Sequence, residues 1–211
     1  MLTLHLISIY LLPLMITFIL FLRKFNERQV STLSLISLAL PFATTCLIIG
    51  EFFMNGLKPF EVSFFEIPIA DHHISFNLYF DKLTMIVLFL TGYLSITVGK
   101  FSHTYLHRES GFQRFFKTIN LFVFGLQLMA MAGNLDLFFA GWEIVGLSSF
   151  LLIAFYRDRT IPVKNAYRVF MIYRICDVGL LISSILSHIL WKNADHFSIL
   201  LMSDAQILLS Q

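Results

Sequence analysis

The chain has 211 residues, of which 57% are hydrophobic and only 13% charged, with a net charge of +2. Soluble domains carry about 25% charged residues, so an ordinary water-facing domain is excluded and the missing polar surface must face a bilayer. At about 20 residues per spanning helix, the length holds at most about six or seven spans and leaves no room for a separate aqueous catalytic domain. The charge balance points to no nucleic-acid partner, and Cys46 and Cys176 lie inside apolar runs, so no disulfide framework is implied.

In chain order, apolar runs at 4–22, 32–54, 83–101, 115–132, 135–156 and 163–190 predict six spans, each bounded by polar punctuation. The expected architecture is an all-α polytopic membrane protein in which 1–211 form one domain. No basic residue precedes the first apolar run, and Arg23, Lys24 and Arg28 follow it, which favours a retained span over a cleaved signal. Between spans two and three, Ile74, Phe76, Leu78 and Phe80 alternate with Ser75, Asn77 and Tyr79, after the turn-like Ala70-Asp71-His72-His73. That period of two predicts a short β-hairpin. Gly133-Asn134 is a minimal turn that folds spans four and five into an antiparallel pair. The tail from 196 holds only short apolar pieces and reads as the start of a further segment.

The basic residues divide unevenly between alternate loops. Arg23, Lys24, Arg28, Lys100, Arg108, Arg114, Lys117, Arg157, Arg159, Lys164, Arg168 and Arg174 fall on one side, against Lys58, Lys82 and Lys192 on the other. Because cytoplasmic loops are enriched in Lys and Arg, the split predicts both termini and the hairpin on the outer side. A bacterial plasma membrane is the expected location, with the mitochondrial inner membrane as the alternative.

An ionisable residue at mid-membrane costs roughly 2.5–3.5 kcal/mol on the insertion scale, so it marks a functional site by default. Glu143 and Asp177 each lie about 20 Å into their spans at 1.5 Å per residue. They share a depth on consecutive antiparallel helices. Tyr173, Arg174, Asp177, Ser184 and His188 form a polar stripe on span six, while Ala140, Gly141, Gly146, Ser148 and Ser149 leave the backbone near Glu143 thinly covered. Arg174 is the obvious counter-charge. Glu143, Asp177, Arg174 and His188 are therefore the candidate proton-pathway residues, set against a purely structural Arg174–Asp177 ion pair that pins the helix hairpin.

The run from Gly133 to Ile153, with Asn134-Leu135, Gly141-Trp142-Glu143, Val145-Gly146-Leu147 and Ser149-Phe150-Leu151-Leu152, resembles the signature of antiporter-like proton-translocating subunits. These are chain 5, or subunit L, of NADH:quinone oxidoreductase, and relatives in cation/proton antiporters and inorganic-carbon uptake systems. Asp81, Arg114-Phe115-Phe116 and Tyr173-Arg174-Ile175-Cys176-Asp177 match further landmarks. The resemblance implies that Glu143 corresponds to the family glutamate that pairs with a lysine in the following span, and that Asp177 matches the span-six aspartate. Family members run to a dozen or more spans, so the expectation is a fragment, a split subunit or a degenerate copy, with the missing lysine supplied by another chain. Pro162-Val163-Lys164-Asn165 and the Tyr173–Asp177 run look closer to the carbon-uptake relatives, which would add a cytoplasmic partner protein.

No haem, flavin or iron–sulfur spacing is present, so no cofactor is expected, and the chain has no active site of its own. His103 and His107 are four apart but read as a solvated basic face, and Asp71-His72-His73 as turn chemistry, so no metal is assigned. Asn120 and Gln127 are expected to hydrogen-bond between helices. The reading from a different class is a non-conducting scaffold that only docks partner membrane subunits.

Overall fold

The computed structural model describes residues 9–54, 59–69 and 72–190. Among them are six α-helices and one two-stranded sheet: α1 (Leu12–Leu22), α2 (Glu27–Met54), β1 (Phe60–Ile69), β2 (His72–Phe80), α3 (Lys82–Tyr105), α4 (Phe112–Ala130), α5 (Leu135–Ile153) and α6 (Thr160–Leu190). The chain is an all-α polytopic membrane protein carrying a small hairpin. Of these helices, α2, α3, α5 and the Thr160–Leu186 part of α6 are long and apolar enough to cross a bilayer. With 11 described residues α1 is too short by that measure, and α4, with 19, is too polar.

The polarity of α4 follows from its position. It packs against α1, α2, α3 and α5 at the centre of the bundle, so its neighbours are protein rather than lipid, and Asn120 and Gln127 are buried on it. A central helix can carry amides if they find partners. Asn120 does: its Nδ2 donates to the Phe116 carbonyl at 2.6 Å, and its Oδ1 accepts from the Ser37 hydroxyl of α2. Gln127 Oε1 is buried without a partner among the described residues.

Two apolar clusters fill the bundle. Leu20, Val30, Leu38, Phe112, Phe116 and Val123 form one. Phe52, Phe80, Leu88, Phe124, Leu128 and Met131 form the other, beneath the hairpin. Buried hydroxyls pair locally: those of Tyr10 and Thr45 are 2.8 Å apart, and Thr44 and Thr45 both donate to the Pro41 carbonyl at 2.8 Å. Pro41 sits inside α2 and cannot donate a helical hydrogen bond itself.

The predicted hairpin forms, with Phe60 opposite Phe80 and Ile69 opposite His72; the turn at 70–71 lies outside the described residues. It is tied to the α4–α5 turn. Tyr79 N–H donates to the Met131 carbonyl at 2.9 Å and Gly133 N–H to the Asn77 carbonyl at 2.8 Å. A Cβ on Gly133 would lie 2.7 Å from that same carbonyl oxygen, so the close approach requires glycine. Asn134 caps α5 by accepting from Leu137 N–H at 2.8 Å, and Asp81 caps α3 by accepting from Thr84 N–H at 2.7 Å.

Helix ends depart from the apolar runs. α2 begins at Glu27 rather than 32, α3 continues to Tyr105 rather than 101, and α5 stops at Ile153 rather than 156. The physical reason is that hydropathy marks where lipid stops, whereas backbone hydrogen bonding ends only where a cap or turn intervenes.

Candidate functional site

α5 and α6 pack as an antiparallel pair through small residues and aromatic rings. Gly141 lets α5 approach α4 so closely that a Cβ there would be 2.6 Å from Met129 N. On the opposite side Gly146 receives Tyr173. The Tyr173 ring stacks on Trp142 with centroids 5.3 Å apart, and its hydroxyl donates to the Trp142 carbonyl at 2.7 Å. A Cβ on Gly146 would lie 2.1 Å from Tyr173 Cε1. Gly146→Ala is therefore expected to expel the pinned ring and weaken the α5–α6 contact by roughly 1–3 kcal/mol, the usual cost of overpacking. Thermal unfolding of the purified chain reads this as a lowered Tm; an unchanged Tm would show that the ring is free to move.

This packing sets the charged residues opposite one another near the middle of both helices. Arg174 Nη1 donates to Glu143 Oε1 at 2.7 Å and Oε2 at 2.6 Å, and to Asp177 Oδ2 at 3.2 Å. The other Asp177 oxygen accepts from the Trp142 indole N–H at 2.8 Å. Asp177 is 3% exposed. The Glu143 side chain is 25% exposed and that of Arg174 45%, so the cluster opens to one side of the helix pair. Arg174 also lies over the Phe170 ring, 5.2 Å from its centroid. Two carboxylates against one guanidinium leave the ionised cluster with one negative charge in excess.

The structure thus brings Glu143, Asp177 and Arg174 into one cluster. His188 belongs to the last turn of α6 and its side chain lies outside those described. Ser184, from the same predicted stripe, is 3.5 Å from Asp136 Oδ1 nearer the α5 N-terminus. Sequence reasoning missed Trp142 as the second donor to Asp177. The signal was present, because an indole N–H at membrane depth must find an acceptor. The histidine pair does not converge: His107 Nδ1 is 2.9 Å from Glu27 Oε2, and His103 lies edge-on to Phe112.

A multi-pass membrane chain with an ion cluster between two of its helices is the class defined by this geometry. The profile described as NADH-Ubiquinone oxidoreductase (complex I), chain 5 N-terminus matches residues 67–116, and that described as NADH:quinone oxidoreductase/Mrp antiporter, TM matches residues 132–209. The chain is 30% identical over 158 residues to NADH-quinone oxidoreductase subunit L of Escherichia coli (strain K12), covering 74% of this chain and 26% of that protein. It is 28% identical over 170 residues to NADH-ubiquinone oxidoreductase chain 5 of Paramecium tetraurelia, covering 80% and 30%. The chain spans about a quarter to a third of the length of the curated relatives it matches. The membrane-bound sulfane sulfur reductase, an archaeal respiratory membrane complex, contains a chain of the same fold, with a TM-score of 0.74 at 17% identity over 87% of this chain and 37% of that one. The chain belongs to the antiporter-like membrane subunits of the NADH:quinone oxidoreductase chain 5 and subunit L family.

Proposed function

We propose that this chain forms the N-terminal part of a proton-translocating subunit in a multisubunit membrane complex, with Glu143 as the proton-carrying carboxylate. The observation that carries the reading is the sharing of Arg174 between Glu143 and Asp177. Asp177 is buried and held by a second donor, Trp142, whereas Glu143 depends on Arg174 and faces the open side. The charge state of Glu143 is then tied to the position of one cation, because a guanidinium at hydrogen-bond distance compensates an ionised carboxylate and its departure removes that compensation. Drawing Arg174 toward Asp177, or bringing a second cation to the open side, switches Glu143 between holding and releasing a proton.

The excess negative charge calls for such a cation from a segment or subunit outside these residues, consistent with relatives that are considerably longer than this chain and named as parts of oxidoreductases. The nearer likeness to carbon-uptake relatives rests on 162–165 and 173–177 alone, and the proposal does not require it. Proton flux in vesicles containing the assembled complex, wild type against Glu143→Gln, tests the reading; unchanged flux with normal assembly leaves the scaffold reading in its place.

The proposed orientation places the basic loops inside. A cysteine at Ser110, in the loop between α3 and α4, is expected to react with an impermeant maleimide only after the membrane is opened. Labelling from outside on intact cells would reverse the topology.

A further inference from the structure

α2 ends at Met54 and α3 begins at Lys82, so one boundary of the membrane lies where these two apolar helices meet the hairpin. Just below that boundary a groove of about 560 Å³ runs between them. Its walls are Ile49, Phe52 and Phe53 of α2 and Met85, Phe89 and Leu90 of α3, and Lys82 stands at its mouth. Lys82 is exposed and makes no ion pair among the described residues. The adjacent Asp81 does not neutralise it, being turned inward with 9% exposure to cap α3 through Thr84 N–H.

We propose that this groove is a binding site for an anionic phospholipid, one acyl chain lying between α2 and α3 and the headgroup phosphate meeting the Lys82 ammonium. Two features distinguish that occupant from a partner helix. From Lys82 to Leu90 the groove extends about 12 Å along α3 at 1.5 Å per residue, close to the depth of one leaflet of an about 30 Å hydrocarbon core. A spanning partner helix would follow the whole length of α3. The groove also carries its one cation at the membrane boundary and only apolar side chains below it, the polarity of a lipid rather than that of a transmembrane segment, which is apolar at mid-membrane and polar at both ends.

The full chain, purified in detergent after equilibration with equal amounts of phosphatidylglycerol and phosphatidylcholine, tests this by mass spectrometry of the retained lipid. About fivefold preference for phosphatidylglycerol is expected, the equivalent of about 1 kcal/mol for one basic residue at an anionic surface. Lys82→Gln should abolish the preference and Lys82→Arg keep it; both substitutions are at an exposed first helical position and leave the fold intact. Leu90→Trp, which fills the deep end from an exposed position, should lower retention of both lipids. Equal retention of the two lipids by the wild type, or a preference that survives Lys82→Gln, would overturn the proposal. So would a dimer of the chain that Leu90→Trp dissociates while lipid retention stays the same.

Discussion

Glu143→Gln is expected to leave the complex assembled and to remove most of its proton-coupled flux. The amide keeps the length of the side chain and one carbonyl oxygen that can accept from Arg174 Nη1, now 2.6–2.7 Å from both carboxylate oxygens. What it loses is the change of charge. A relay carboxylate works only if it passes between a neutral and an ionised state, and Gln is held at the first. Glu143→Asp retains the titration but draws the group back by one methylene from Arg174, so part of the flux should remain. Asp177→Asn should be milder, because Asn still accepts from the Trp142 indole and Glu143 keeps Arg174. Its first effect should be on stability. A flux assay on vesicles, with assembly checked by co-purification, ranks the three; if Asp177→Asn abolished flux while Glu143→Gln did not, the roles assigned to the two acids would be reversed.

Much of this cluster is legible in the amino-acid sequence alone. Carboxylates and a guanidinium inside runs otherwise made of Leu, Ile, Phe and Val stand out because lipid cannot solvate them, and helical rise by itself places Glu143 and Asp177 at one depth. The alternation at 74–80 likewise gives β2, because one face of the hairpin packs onto the bundle through Leu78 and Phe80. Rotation about the helix axes is what the sequence leaves open. Whether Arg174 reaches Glu143, 31 residues away, as well as Asp177 depends on the face α6 turns to α5, and that face is set by the fit of Tyr173 onto Gly146. The Ser37–Asn120 contact was hidden for the same reason, since it joins α2 to α4 across a separation of 83 residues. The polarity of α4 is ambiguous by hydropathy alone and becomes intelligible only when the helix is seen to be surrounded by others.

Removal of the shared cation separates the structural from the proton-relay role. Arg174→Leu is expected to prevent stable assembly of the α5–α6 pair, because it strands two carboxylates within the membrane; losing one partner of a buried pair costs about 3–5 kcal/mol. The lower end applies here, since Asp177 retains its bond from Trp142 and Glu143 can take up a proton. The triple variant Arg174→Leu, Glu143→Gln, Asp177→Asn removes the stranded charge together with its partner. Replacing a complete ion cluster by neutral side chains is often neutral or stabilising, so the triple variant should recover the assembly lost in the single one. Proton flux should not return with it. Recovery of assembly without flux would make Arg174 the clasp of the helix pair, needed only while the acids it holds are charged, and would leave the flux dependent on the charged cluster. Recovery of both would show that the cluster serves only to hold α5 against α6, and failure of both would mean that the charged geometry itself specifies the packing.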